Sequence, residues 1–199
     1  MNKSRLEAYT DAVIAIIITL MILNIQPPAH AIYFSQLHKS FHEFIAYTCS
    51  FLLLSTYWNN HHHLLQTVKQ INGIVLWSNN LFIFTMTLIP FATSWLTNHL
   101  NQLDPELLYG GVIFAGDFAY ILLIYAILNA NDYNYRYILK HQIHKSLLSL
   151  VINIIGLLSA FIMPILSLLI SGILIIIMWF IPDRSLEKFF KNKNANHKL

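Results

Sequence analysis

The chain has 199 residues, 56% of them hydrophobic and only 11% charged, with a net charge of +3. A typical soluble domain carries roughly 25% charged residues, so this composition excludes an ordinary soluble globular protein and indicates a membrane class. The single cysteine, Cys49, excludes an intrachain disulfide and reads as a small apolar side chain within a hydrophobic run.

A membrane-crossing helix needs about 20 apolar residues. The hydropathy pattern predicts six, over residues 7–25, 41–59, 74–96, 107–128, 147–163 and 165–181. The first is not a cleavable signal: it carries Asp11 at its start, lacks a small-residue cleavage site and runs on to Ile25-Gln26-Pro27-Pro28. Pro27-Pro28 ends it, and residues 29–40 form an outer connection whose aromatic and histidine side chains suit the interface. The second span ends in Trp58-Asn59-Asn60-His61-His62-His63, and the third opens with Trp77-Ser78-Asn79-Asn80. Residues 98–106 read as an acidic outer loop in which Asp104 is the N-cap of the next helix, Pro105 its first position and Glu106 an acid in its first turn. Residues 129–144 form the largest inner loop.

The last two spans make one apolar tract of about 35 residues, far longer than a single crossing at about 1.5 Å per residue. Pro164 divides it into a tight hairpin, a single kinked helix being the alternative. Residues 1–183 thus form one membrane domain, with 184–199 as a basic tail that meets water or anionic headgroups.

Six crossings put both ends on one side. With the N-terminus inside, segments 1–6, 60–73, 129–146 and 182–199 hold eleven of the twelve lysines and arginines, and the outer segments hold only Lys39. The positive-inside rule therefore predicts a multi-pass protein of the cell membrane with both termini cytoplasmic. The net charge describes cytoplasmic loops and requires no nucleic-acid partner.

Two ionisable groups, Arg5 and Asp11, stand at the mouth of a first span that is otherwise uncharged to Ile25. Charge beside hydrocarbon is costly and by default marks a functional site facing protein or water. Arg5 and Asp11 are nearly two turns apart, so partners on neighbouring helices suit them better than each other. Trp58, Asn59, Asn60, His61, His62 and His63 of the second span and Trp77, Ser78, Asn79 and Asn80 of the third come to the same depth, which predicts a shared hydrogen-bonded network. Consecutive histidines point about 100° apart, so His61, His62 and His63 do not converge on one metal ion. No serine or cysteine sits in an activating arrangement with Asp11 or Asp117, which argues against an enzyme. Asp117 stands apart in the fourth span among Gly110, Gly111 and Gly116, with a histidine or backbone groups as its expected partners. Along the first helix, Ile16, Leu20 and Leu23 share a face, with Tyr9, Ala12 and Thr19 close to it. Because that helix is apolar all round, periodicity leaves open which stripe meets lipid and which meets protein.

Arg5-x3-Tyr9-Thr10-Asp11 resembles the Arg-x3-Phe-Ser-Asp signature that opens the first helix in the transmembrane protein 175 potassium channel family; Tyr9 keeps the aromatic ring and Thr10 the hydroxyl. Tyr57-Trp58-x2-His61-His62 is similar to that family's Trp-x2-His-His element. Asn79-Asn80-Leu81-Phe82, followed by Leu88-Ile89-Pro90-Phe91, looks like its third-helix pattern. The likeness covers roughly residues 1–95 by motif.

The resemblance implies an all-α homotetramer in the lipid bilayer, six transmembrane helices per chain, with the first helices lining a central pore. It also implies no cofactor, potassium as the permeating ion and modest selectivity over sodium. The chain lacks a Thr-Val-Gly-Tyr-Gly carbonyl filter. By likeness, Ile16 is the constriction, Leu20 and Leu23 extend it, and Thr19 holds the position associated with selectivity. Arg5, Thr10, Asp11, Trp58, His61, His62, Asn79 and Asn80 would be the scaffold that holds the pore helices in register. The competing classes are a proton-coupled secondary transporter using Asp11, Asp117 and the inner histidines, and an accessory membrane protein in which the cluster is packing glue.

Overall fold

Residues 3–23 contain neither glycine nor proline, and they form one unbroken helix, α1 (Lys3–Leu23). The computed structural model describes residues 2–25, 33–34, 40–131 and 136–180, which fold into helices and turns without a strand. The expected outer connection at 29–40, apart from residues 33, 34 and 40, and the expected tail at 184–199 lie outside the described residues.

Helix α2 (Phe41–Gln66) continues beyond the expected end at 59, through all three histidines. Asn72 then caps α3 (Gly73–Thr87), its side-chain oxygen accepting from the Val75 amide at 2.9 Å. The third span is two helices rather than one: α3 stops before Leu88 and α4 (Ile89–Asn98) follows, with proline in its first turn. Pro90 has no N–H to donate and its ring crowds the preceding turn, so the break falls where the chemistry requires it.

Asn101 adopts a left-handed φ of 63°, which asparagine tolerates, and the chain reverses into α5 (Leu103–Ala130). Gln102 is the cap residue, so Asp104 lies inside the first turn rather than at the N-cap, and Glu106 is fully buried rather than part of an acidic loop. Asp104 and Glu106 still lie where acid suits a helix start.

Helix α6 (Arg136–Ser159) begins well before the expected position 147, so most of the inner loop anticipated at 129–144 is helical. Leu139, Ile143 and Ser146 are buried one turn apart while Lys140 and His144 are exposed. A hydropathy window misses such an amphipathic extension because only one side of it is apolar.

After a turn at 160–163, Pro164 opens α7 (Pro164–Ser167) as its first residue, which settles the tract as a hairpin. A π-helical segment, Leu168–Leu174, and α8 (Ile175–Phe180) complete the sixth helix. The described residues thus form an all-helical bundle of six helical units, counting α3 with α4 and α7 with the π segment and α8.

Four stretches are long and apolar enough to cross a membrane: Lys3–Leu23, Gly73–Asn98, Leu103–Ala130 and Gln142–Ser159; Pro164–Ile177 is apolar but shorter. Helix α2 is long enough, yet it carries polar residues: Ser50 and His61 bond other helices, Thr56 and Asn60 bond carbonyls of their own helix, and Asn59 is exposed. Helix α5 is the hub, packing on α3, α4, α6 and the sixth helix. Its Tyr109, Ile113, Tyr120 and Ile124 meet Phe82 and Met86 of α3 and Leu53, Leu54 and Tyr57 of α2 in one continuous core. Asn131 fastens the end of α5 to the α2–α3 turn, accepting from the Lys69 and Gln70 amides, each at 2.8 Å.

Candidate functional site

Helix α1 is apolar on every side, and its packing divides it. Leu6, Thr10, Ile14, Ile17 and Met21 recur every three or four residues and are buried against α2, α3 and α4. The opposite stripe is left uncovered by the chain's own fold: Ile16 is 57% exposed, Leu20 50% and Leu23 71%, and Thr19, Ala12 and Tyr9 are exposed beside them. The Thr19 hydroxyl donates to the Ile16 carbonyl at 2.8 Å. Its single hydrogen is thereby committed, which leaves only oxygen lone pairs facing outward from the stripe.

At the other end of the same helix, three helices meet through side chains. Asn79 of α3 donates to the Thr10 hydroxyl of α1 at 3.1 Å, and His61 Nε2 of α2 donates to Asn79 Oδ1 at 2.7 Å. All three residues are buried, and the His61 ring stacks flat on Phe82 with centroids 5.5 Å apart. A second link runs along the surface: Trp58 Nε1 donates to Asp11 Oδ1 at 2.8 Å. The Trp58 indole stacks on His62, which accepts from the Gln66 amide at 2.9 Å. His61 and His62 therefore serve different neighbours, as consecutive helical positions must.

Arg5 and Asn80 are exposed and join neither link; among the described residues, the salt bridge formed is Lys3–Glu7 at 3.9 Å, so Arg5 and Asp11 are not paired within one chain.

Residues 5–90 match the sequence profile of the family described as the endosomal/lysosomal potassium channel TMEM175. A protein from Chryseobacterium sp. (strain P1-3) that bears the name potassium channel is 38% identical over 197 residues, covering 96% of this chain and 99% of the relative. The chain belongs to the TMEM175 family. This is a family of ion channels and not of enzymes. A second protein named as a potassium channel, from Chamaesiphon minutus, is 30% identical over 129 residues, 62% of this chain and 63% of that one. The fold is similar to the crystal structure of a lysosomal potassium-selective channel TMEM175 homolog from the same organism, with a TM-score of 0.77, 24% identity, and coverage of 88% of this chain and 95% of that chain.

Deeper in this TMEM175 bundle lies a carboxyl group that the α1 site does not use. Asp117 of α5 is fully buried and accepts from the Tyr57 hydroxyl at 2.6 Å and the Ser149 hydroxyl at 2.5 Å. Its partners are thus a tyrosine on α2 and a serine on α6, rather than a histidine or backbone groups. Tyr57 is the neighbour of Trp58, and their side chains diverge: one enters the core and the other reaches Asp11. Neither Tyr57 nor Ser149 was recognisable as a partner from sequence, because a lone hydroxyl in an apolar run carries no pairing information. The same is true of Gln66, Phe82 and the Ser50 hydroxyl, which meets Thr93 at 2.8 Å and Tyr109 at 3.1 Å.

Proposed function

We propose that four copies of this chain form a potassium channel in the cell membrane, with the exposed stripe of α1 lining a central pore and both termini in the cytoplasm. The observation that carries this reading is the division of α1: a nonpolar stripe is left unpacked while the other side is anchored by Thr10 and the core. A bare apolar stripe opposite an anchored side is what a hydrophobic neck requires. Four Ile16 side chains close the neck and exclude ions by dewetting until it widens. Leu20 and Leu23 extend the lining, and the Thr19 oxygens, aimed outward, stand in for part of the hydration shell of potassium. Selectivity over sodium is modest because one ring of hydroxyls replaces only part of that shell.

The Thr10–Asn79–His61 and Asp11–Trp58 links hold α1 at a set angle to α2 and α3, so they act as scaffold. Arg5 and Asn80, free of their own chain's network, face the neighbouring subunit. Eleven of the twelve basic residues on one side of the membrane support the assigned orientation. A carrier built on Asp11, Asp117 and the histidines would need them in one relay, yet Asp11 bonds Trp58, Asp117 bonds Tyr57 and Ser149, and no histidine bonds either carboxyl among the described residues. Single-channel recording in a planar bilayer decides the matter: stepwise currents that reverse near the potassium equilibrium potential are expected, and saturable flux at fixed stoichiometry without steps would overturn the channel.

A further inference from the structure

At the end of the bundle away from His61 and Asn79, the chain turns from α4 into α5 and leaves a cleft. Trp95, Asn98, His99, Gln102 and Asp104 line about 610 Å3 of it, and a groove of about 440 Å3 runs on down α4 past Ser94 to Phe91. Trp95 and Asn98 border both spaces, so the two form one continuous site. Phe91 is 65% exposed and Trp95 37%, one turn apart on one side of α4. Asn98, His99, Gln102 and Asp104 are exposed beyond them. The lining therefore changes along α4 from aromatic to polar, in the order in which a bilayer changes from tails to headgroups. Trp95 stands at the boundary, the depth at which indoles concentrate in membrane proteins.

The polar groups of the cleft suit a cation that donates hydrogen bonds. His99 Nδ1 donates to the Trp95 carbonyl at 3.2 Å, which leaves Nε2 an acceptor in the neutral ring. The Asn98 amide donates to the Ser94 carbonyl at 2.8 Å, which leaves Oδ1 to accept. Asp104 forms no salt bridge among the described residues, and no lysine or arginine occurs between Lys69 and Arg136 to balance its charge. The neighbouring acid, Glu106, is buried and belongs to the core instead. Three acceptors, one of them an uncompensated carboxylate, match a primary ammonium, which carries three N–H donors. A quaternary ammonium carries none. The same cleft also offers donors to an anion: Gln102 is the residue before α5 and its side chain makes no cap bond, while the first amides of any helix lack an acceptor within the helix.

We propose that the α4–α5 cleft holds a phospholipid with a primary ammonium headgroup, of the ethanolamine class. The ammonium lies among Asp104, His99 and Asn98, the phosphate meets Gln102 and the first turn of α5, and one acyl chain follows the groove below Trp95 along Phe91. A small amine from solution would fill the cleft and leave the groove empty of its own contacts; the lipid fills both, and it brings the cation, the anion and the tail in one molecule. The orientation proposed above puts this lipid in the outer leaflet, and the site stands apart from the α1 stripe and its pore.

The test uses the full chain in phosphatidylcholine liposomes at pH 8, above the imidazole pKa of about 6.5. The liposomes carry a small, equal fraction of either phosphatidylethanolamine or phosphatidylcholine with brominated acyl chains, which quench an indole on contact. The Trp95 signal is the difference between the wild type and Trp95→Phe. The brominated ethanolamine lipid is expected to quench it about two- to fivefold more effectively than the brominated choline lipid, the range of one exposed ion pair. Asp104→Asn keeps the size of the side chain, has no salt bridge to lose, and should abolish the preference; Asp104→Lys should reverse it. Size exclusion confirms that each variant assembles like the wild type. Equal quenching by the two lipids in the wild type, or a preference that survives either Asp104 substitution, overturns the site. So does a Trp95 that neither lipid quenches, which would show that a neighbouring subunit covers the cleft.

Discussion

Asn79 donates to Thr10 at 3.1 Å and so ties helix α1 to α3 inside the bundle. The same amide accepts from His61 at 2.7 Å, so one side chain joins three helices. Replacing it strands two buried groups at once. Asn79→Ala is expected to cost about 1–3 kcal/mol, read as a lower thermal unfolding midpoint in detergent. Thr10→Ala should cost less, and the pair less than the sum of the two. Strict additivity would show that the link contributes nothing.

The Ile16 ring is expected to be the narrowest and driest point of the pore. Ile16→Asn should wet it and raise single-channel conductance severalfold, because a polar side chain removes the dewetting barrier. An unchanged current would place the constriction elsewhere.

Thr19 has committed its hydrogen to the Ile16 carbonyl, so its lone pairs face outward from the stripe. Thr19→Ser keeps that arrangement and should keep the potassium-to-sodium permeability ratio. Thr19→Val removes an oxygen worth about 0.5–1.5 kcal/mol in such contacts, a fall of roughly two- to tenfold in the ratio. Bi-ionic reversal potentials give the answer, and equal ratios in both variants would remove Thr19 from selectivity.

Arg5 is exposed and forms no salt bridge among the described residues of its own chain. If it meets the neighbouring subunit, Arg5→Ala should shift the tetramer toward smaller species on size exclusion while leaving protomer helicity intact. A normal tetramer peak would assign Arg5 to solvent or lipid headgroups instead.

Gly156 and Gly111 make a matched pair. A Cβ on Gly156 would overlap the Ser171 hydroxyl and press on its backbone amide, whereas a Cβ on Gly111 meets nothing within 4 Å. Gly156→Ala should destabilise by about 1–3 kcal/mol. Gly111→Ala should be neutral or stabilising by up to about 1 kcal/mol, the helix preference of alanine over glycine. Thermal unfolding of the two variants side by side tests the closeness of α6 to the π segment.

The sequence by itself determined the membrane class, the helical units, the break at Pro164 and the family, because apolar run length, proline chemistry and the Arg5–Asp11, Trp58–His62 and Asn79–Asn80 motifs are local properties of the chain. It also singled out Ile16, Leu20 and Leu23 as one stripe of α1. Whether that stripe was the bare one was not legible, since a helix apolar on all sides has no preferred face until neighbours cover one. Only the tertiary structure decided that Leu6, Thr10, Ile14, Ile17 and Met21 are covered. It alone also separated Arg5 and Asn80 from the network, gave Asp117 to Tyr57 and Ser149, and buried Glu106, which in sequence reads as part of an acidic loop. Such pairings join residues 32 to 69 positions apart. A hydrogen bond depends on where two helices cross, and a crossing is set by packing over the whole bundle rather than by any local stretch of residues.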